Sequence, residues 1–72
     1  MDNRITGTVK WFNAAKGYGF IQPEDGGADA FVHISAVERA GYDNLSEGQR
    51  VQYEIVRGTN GKSSAENLKI VG

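Results

Sequence analysis

Five short stretches of this chain alternate apolar and polar residues with a period of two, the signature of half-buried β-strands. They cover residues 4–13, 17–22, 30–34, 51–57 and about 64–70. The fourth is the clearest, with Val51, Tyr53 and Ile55 set against Gln52 and Glu54. Asp25-Gly26-Gly27 is a turn signal between the second and third stretches, and Asn60-Gly61 is a type I′ hairpin signal between the fourth and fifth. Residues 35–50 break the rhythm. One helical turn is expected over 35–38, then a long loop that ends in a turn at 44–48. No stretch keeps a helical period over three turns. The pattern predicts an all-β fold, a small five-stranded antiparallel β-barrel, in one domain spanning residues 1–72.

Strand parity sorts the side chains into two faces. Tyr18 and Phe20 share one face of the second strand, with Gly19 and Ile21 on the other. Phe31 and His33 share one face of the third, opposite Ala30, Val32 and Ile34. Paired in register, Tyr18, Phe20, Phe31 and His33 make one contiguous patch. The aliphatic supply for an interior is Ile5, Val9, Ile21, Val32, Val37, Leu45, Val51, Ile55, Leu68 and Ile70. Tyr53 fits the inward face of the fourth strand. With these inside, the aromatic patch is free to face outward as a stacking platform for unpaired bases, at about 1–3 kcal/mol per stacked base. The first strand strains this scheme. Val9 and Trp11 share parity, so an inward Val9 with an outward Trp11 needs a β-bulge or strong coiling.

Composition narrows the chemistry. A 72-residue chain buries only about 60% of the surface its unfolded form exposes. It has no cysteine and one histidine, so neither a disulfide framework nor a multi-histidine metal site is available within it. No apolar run approaches the roughly 18 residues of a membrane span, and no signal-peptide pattern opens the sequence. A cytoplasmic, soluble protein is therefore expected, and Asn44-Leu45-Ser46 reads as a chance match to the glycosylation pattern. The formal net charge is −1. That excludes a basic coat protein: a nucleic-acid site here must be a local positive patch on an acidic body, with stacking supplying much of the affinity. Lys10 and Lys16 are the cations nearest the aromatic clusters.

The chain resembles the cold shock protein family. Gly7-Thr8-Val9-Lys10-Trp11-Phe12-Asn13 opens the match. Lys16-Gly17-Tyr18-Gly19-Phe20-Ile21 resembles the family's first ribonucleoprotein motif, and Phe31-Val32-His33-Ile34 the second. Gly48-Gln49-Arg50-Val51 resembles the entry to the fourth strand. Together the motifs are specific where each alone is weak. The resemblance implies an OB-fold barrel that binds single-stranded RNA and DNA with low sequence selectivity. It further implies an ATP-independent RNA chaperone, with roles in transcription antitermination and translation regulation. Three positions depart from the common pattern: Ile34 and Tyr18 stand where phenylalanine is usual, and Asp43 where many relatives carry lysine. The expectation is that binding survives with some loss of affinity.

On this reading Trp11, Phe20, Phe31 and His33 are the central stacking positions, and Trp11 is turned outward. Phe12, Tyr18 and Tyr42 are flanking contacts. Lys10 and Lys16 meet phosphates or base edges, and Asn13 and Asp29 hydrogen-bond base edges. Arg57 and Lys62 are weaker candidates. No cofactor, metal or catalytic site is read. His33 near Ser35 and Asp29 lacks a nucleophile elbow, and Gly17-Tyr18-Gly19 lacks the third glycine of a dinucleotide fingerprint. An RNA-recognition-motif domain would need two helices and the reverse motif order. A barrel gripping proline-rich peptides is the alternative from another class. A monomer is expected.

Overall fold

The computed structural model describes residues 4–58 and 63–71. Its elements run β1 (Ile5–Asn13), β2 (Tyr18–Pro23), β3 (Ala30–His33), α1 (Ile34–Arg39), β4 (Arg50–Arg57) and β5 (Ser63–Ile70). The five strands form one antiparallel sheet in the order β3-β2-β1-β4-β5. The sheet curls until β3 and β5 touch, but among the described residues no backbone ladder joins them. The expected all-β, five-stranded antiparallel architecture is therefore present, with a packed seam in place of full closure. The Asn60-Gly61 turn signal and Lys62 lie outside the described residues.

β1 organises the sheet because it pairs on both edges, with β2 along most of its length and with β4 through Ile5–Thr8. Beyond Thr8 its second edge is met by the loop before β4. Val9 N–H donates to Gln49 O at 2.9 Å, and Gly48 N–H donates to Val9 O at 2.8 Å. The bulge demanded by parity lies where β1 meets β2. Val9 pairs with Ile21 and Trp11 with Phe20, leaving Lys10 as the extra residue on β1. That one residue resets the alternation, so Val9 is buried while Trp11, at 38% relative exposure, faces out.

The interior contains Val9, Ile21, Val32, Val37, Leu45, Val51, Tyr53 and Leu68, with Ala30, Ala36 and Ala65 filling between them. Ile5 and Ile70 are half-buried against this cluster. One expected core residue is misplaced. Ile55 is 44% exposed although its partner across the ladder, Ala65, is fully buried, and it lines an open pocket with Ile5, Tyr53 and Phe31. Alternation sets the face a residue takes, not whether anything packs over it. Ile34 corrects the third strand: it is the first residue of α1, not the last of β3, and packs half-buried on the core. Gly17 lies outside β2, in the preceding turn at φ +85°, a left-handed conformation that glycine adopts without a Cβ penalty.

α1 is longer than the single turn expected. Its six residues bury Ala36 and Val37 and cover the end of the interior near β5. A second irregularity sits in β5. Between Gln52↔Lys69 and Glu54↔Glu66 the register slips by one residue. Asn67 absorbs the slip at φ 54°, and its side-chain amide is hydrogen-bonded to Glu54.

Candidate nucleic-acid interface

The β2–β3 ladder brings the two aromatic motifs together. Tyr18 pairs with His33 and Phe20 with Phe31, while Gly19 and Ile21 pair with Val32 and Ala30 on the opposite face. The bulge in β1 adds Trp11 beside Phe20. Four rings then form one contiguous surface. Trp11 meets Tyr18 and Phe20 edge-on, with centroids 5.4 and 5.5 Å apart. Phe31 lies 5.9 Å from Tyr18, nearly parallel at 25°, and 5.9 Å from Phe20 edge-on. Such pairs prefer offset or T-shaped contact, which leaves part of each π-face open to solvent. Tyr18, Phe20 and Phe31 are half-buried, and Trp11 and His33 are exposed.

Gly19 makes this surface possible from beneath. A Cβ there would lie 2.7 Å from both Cα and Cδ1 of Phe12. The absence of a side chain lets β1 and β2 approach closely under the rings. Phe12, on the other parity from Trp11, packs against the interior and outside the ring cluster. Tyr42 also packs on the interior, and its hydroxyl accepts a hydrogen bond from Ile70 N–H at 3.2 Å. That bond ties the long loop to the end of β5. Neither ring belongs to the four-ring cluster.

The polar candidates divide into three kinds. Lys10 and Asp29 are brought together: Lys10 Nζ lies 3.1 Å from Asp29 Oδ2, with both side chains partly exposed. This ion pair reaches across β2 and sets a cationic donor beside an anionic acceptor at one edge of the rings. Asn13 serves the turn before β2. Its Oδ1 accepts from Lys16 N–H at 3.0 Å, and its carbonyl accepts from Gly17 N–H at 2.8 Å. Lys16 is held by that turn at the Tyr18 end of the cluster, exposed and without an ion pair among the described residues. His33 is held by Ser35, which reading from the sequence did not place in the site. Its ring Nδ1 lies 3.1 Å from Ser35 N and 2.9 Å from Ser35 Oγ. The sequence carried no clear signal for this contact, since histidine is not among the usual N-cap residues and Ser35 itself reads as the cap.

Two further ion pairs lie elsewhere among the described residues. Arg39 meets Glu66 at 3.4 Å, and Arg50 meets Glu24. Among the described residues no group of three or more potential metal-binding side chains occurs, and no helix is long and apolar enough to cross a membrane.

Comparison with known proteins agrees with this geometry. Residues 5–71 match the model of the family described as the 'Cold-shock' DNA-binding domain. Cold shock protein CspA of Rhizobium meliloti is 68% identical over 65 residues, covering 89% of this chain and 94% of that protein. Probable cold shock protein y4cH of Sinorhizobium fredii is 66% identical over 65 residues, again covering 89% and 94%. Cold shock-like protein CspE of Escherichia coli K12 is 56% identical over 68 residues, covering 94% and 99%.

Proposed function

The chain belongs to the 'Cold-shock' DNA-binding domain family, and from that premise we propose that it binds single-stranded RNA and DNA with low sequence selectivity. The observation that carries this reading is the outward ring cluster of Trp11, Tyr18, Phe20 and Phe31, assembled in register on β1–β3. Open ring faces suit unpaired bases, whose own faces are free. In a duplex each base face is already covered by its neighbours. Every base has a π-face, so stacking tolerates sequence.

Trp11, Phe20, Phe31 and His33 stack with bases, and Tyr18 extends the surface. Lys16 meets a phosphate. Lys10 and Asp29 offer their donor and acceptor to a base edge or phosphate from one end of the cluster. Asn13 acts chiefly by holding the turn that presents Lys16. Phe12 and Tyr42 act from flanking positions anchored in the interior. Because the protein binds open strands and not paired ones, mass action shifts RNA toward open forms without ATP. That is the activity of an RNA chaperone, acting in the cytoplasm as a monomer, with transcription antitermination and translation control as its consequences.

Trp11 is the only tryptophan, which makes the test direct. Titration with a short oligothymidine or oligouridine should quench its fluorescence, and the matched duplex should not. Equal binding of duplex and single strand would refute the reading.

A further inference from the structure

His33 belongs to two elements at once. It ends β3, where it stands opposite Tyr18, and it is the N-cap of α1, with extended backbone at φ −97° and ψ 151°. Its Nδ1 accepts from Ser35 N–H at 3.1 Å and lies 2.9 Å from Ser35 Oγ. A backbone N–H can only donate, so Nδ1 carries no proton, and in the neutral ring the proton sits on Nε2. With Nδ1 unprotonated, the serine hydroxyl can only share that nitrogen's single in-plane lone pair, as a second, bifurcated donor. Two donors from one residue therefore converge on a single ring nitrogen. The backbone donor sets the tautomer, and the hydroxyl beside it restricts the plane of the imidazole. Among the described residues nothing is bonded to Nε2, so its N–H is free to meet a ligand.

We infer that Ser35 is a positioning residue for nucleic-acid binding, acting through His33. The inference rests on the single-strand reading above and extends it to a residue outside the stacking surface. Held by Ser35, the His33 ring offers its face to an unpaired base and its Nε2–H to a phosphate or carbonyl oxygen of the same strand. An imidazole free to rotate would lose that freedom on binding, and pre-organisation removes that cost. The geometry also joins binding to the β3–α1 junction, since the side chain that stacks is the one that caps.

The test uses the intact protein, oligothymidine and two readouts. Nitrogen-15 correlation spectra of the His33 ring report the tautomer without any ligand, and the wild type should show the Nε2–H form. Ser35→Ala removes the hydroxyl but keeps the backbone N–H. Alanine favours helix over serine, so the fold should persist, which circular dichroism verifies. Affinity should fall about three- to tenfold, a part of a full base stack, and the ring, still Nε2–H because the backbone donor remains, should lose its single orientation. Ser35→Thr should restore both. In a His33→Ala background, Ser35→Ala should change affinity no further, because coupled residues are not additive. An unchanged affinity for Ser35→Ala, additive losses in the double variant, or an Nδ1–H ring in the wild type would each overturn the inference and leave the proposed function standing. Failure of the wild type itself to bind single strands would overturn the function, and this inference with it.

Discussion

Phe31 and Val32 are neighbours in sequence on opposite faces of β3, and the structure predicts that shortening each has a different consequence. Val32 is fully buried in the interior. Its truncation to alanine removes two methyl groups, at about 0.8 kcal/mol each for transfer, and leaves a cavity that adds to the cost. A loss of about 2–3 kcal/mol follows, which in a domain this small lowers the melting temperature by roughly 8–24 °C. Phe31 is half-buried and touches Tyr18 and Phe20. Its aromatic pairs are worth about 0.5–1.5 kcal/mol each when fully formed. Being partly open to solvent, they should cost Phe31→Ala about 1 kcal/mol of stability. The same substitution removes one stacking position, so affinity for oligothymidine should fall by about 1–3 kcal/mol, roughly 5- to 150-fold. Thermal melts and Trp11 quenching, the latter measured well below both melting temperatures, separate the two effects. Val32→Ala should melt early yet bind nearly as the wild type does while folded. The reasoning is refuted if folded Val32→Ala loses as much affinity as Phe31→Ala. It is equally refuted if Phe31→Ala melts earlier than Val32→Ala with its affinity intact.

Three further predictions concern the frame beneath the site. At φ 54° Asn67 occupies a left-handed conformation, so Asn67→Gly should be near neutral and Asn67→Val should cost about 1–3 kcal/mol in urea unfolding; equal stabilities would disprove the role assigned to the β5 slip. Gly19→Ala places a Cβ 2.7 Å from the Phe12 backbone and should cost about 1–3 kcal/mol by overpacking, read as a lower melting temperature. Burial raises the pKa of the Tyr53 phenol above its ordinary value of 10.0, with Asp25 and then Asp29 adding to the rise. The unfolded chain then ionises first, so this contribution to stability is whole below the unfolded pKa and is lost as pH climbs through the folded one. Tyr53→Phe lacks that loss, and its stability relative to wild type should rise across this alkaline window; a pH-independent difference would contradict the argument.

The stacking face was legible in residues 17–34 because strand alternation is local: Tyr18, Phe20, Phe31 and His33 share a face whatever surrounds them, and the β2–β3 register places them opposite one another. The need for a bulge near Trp11 was legible too, as a conflict of parity with Val9. Ile55 shows the limit of the same rule, since its period matches Val51 and Tyr53 while its side chain is exposed. Phe12 and Tyr42 show another limit, for an aromatic ring in a sequence does not announce whether a core lies beneath it. Alternation and the turn residues thus determined the strands, their faces and the shared aromatic surface. Tertiary structure decided where the bulge lies, how far the interior extends along β4, that Lys10 meets Asp29 across β2, and that Ser35 holds the His33 ring. The division has one physical reason. The direction of a side chain follows from backbone geometry over two or three residues, whereas burial and hydrogen-bond partners depend on chain segments that only the folded sheet brings together.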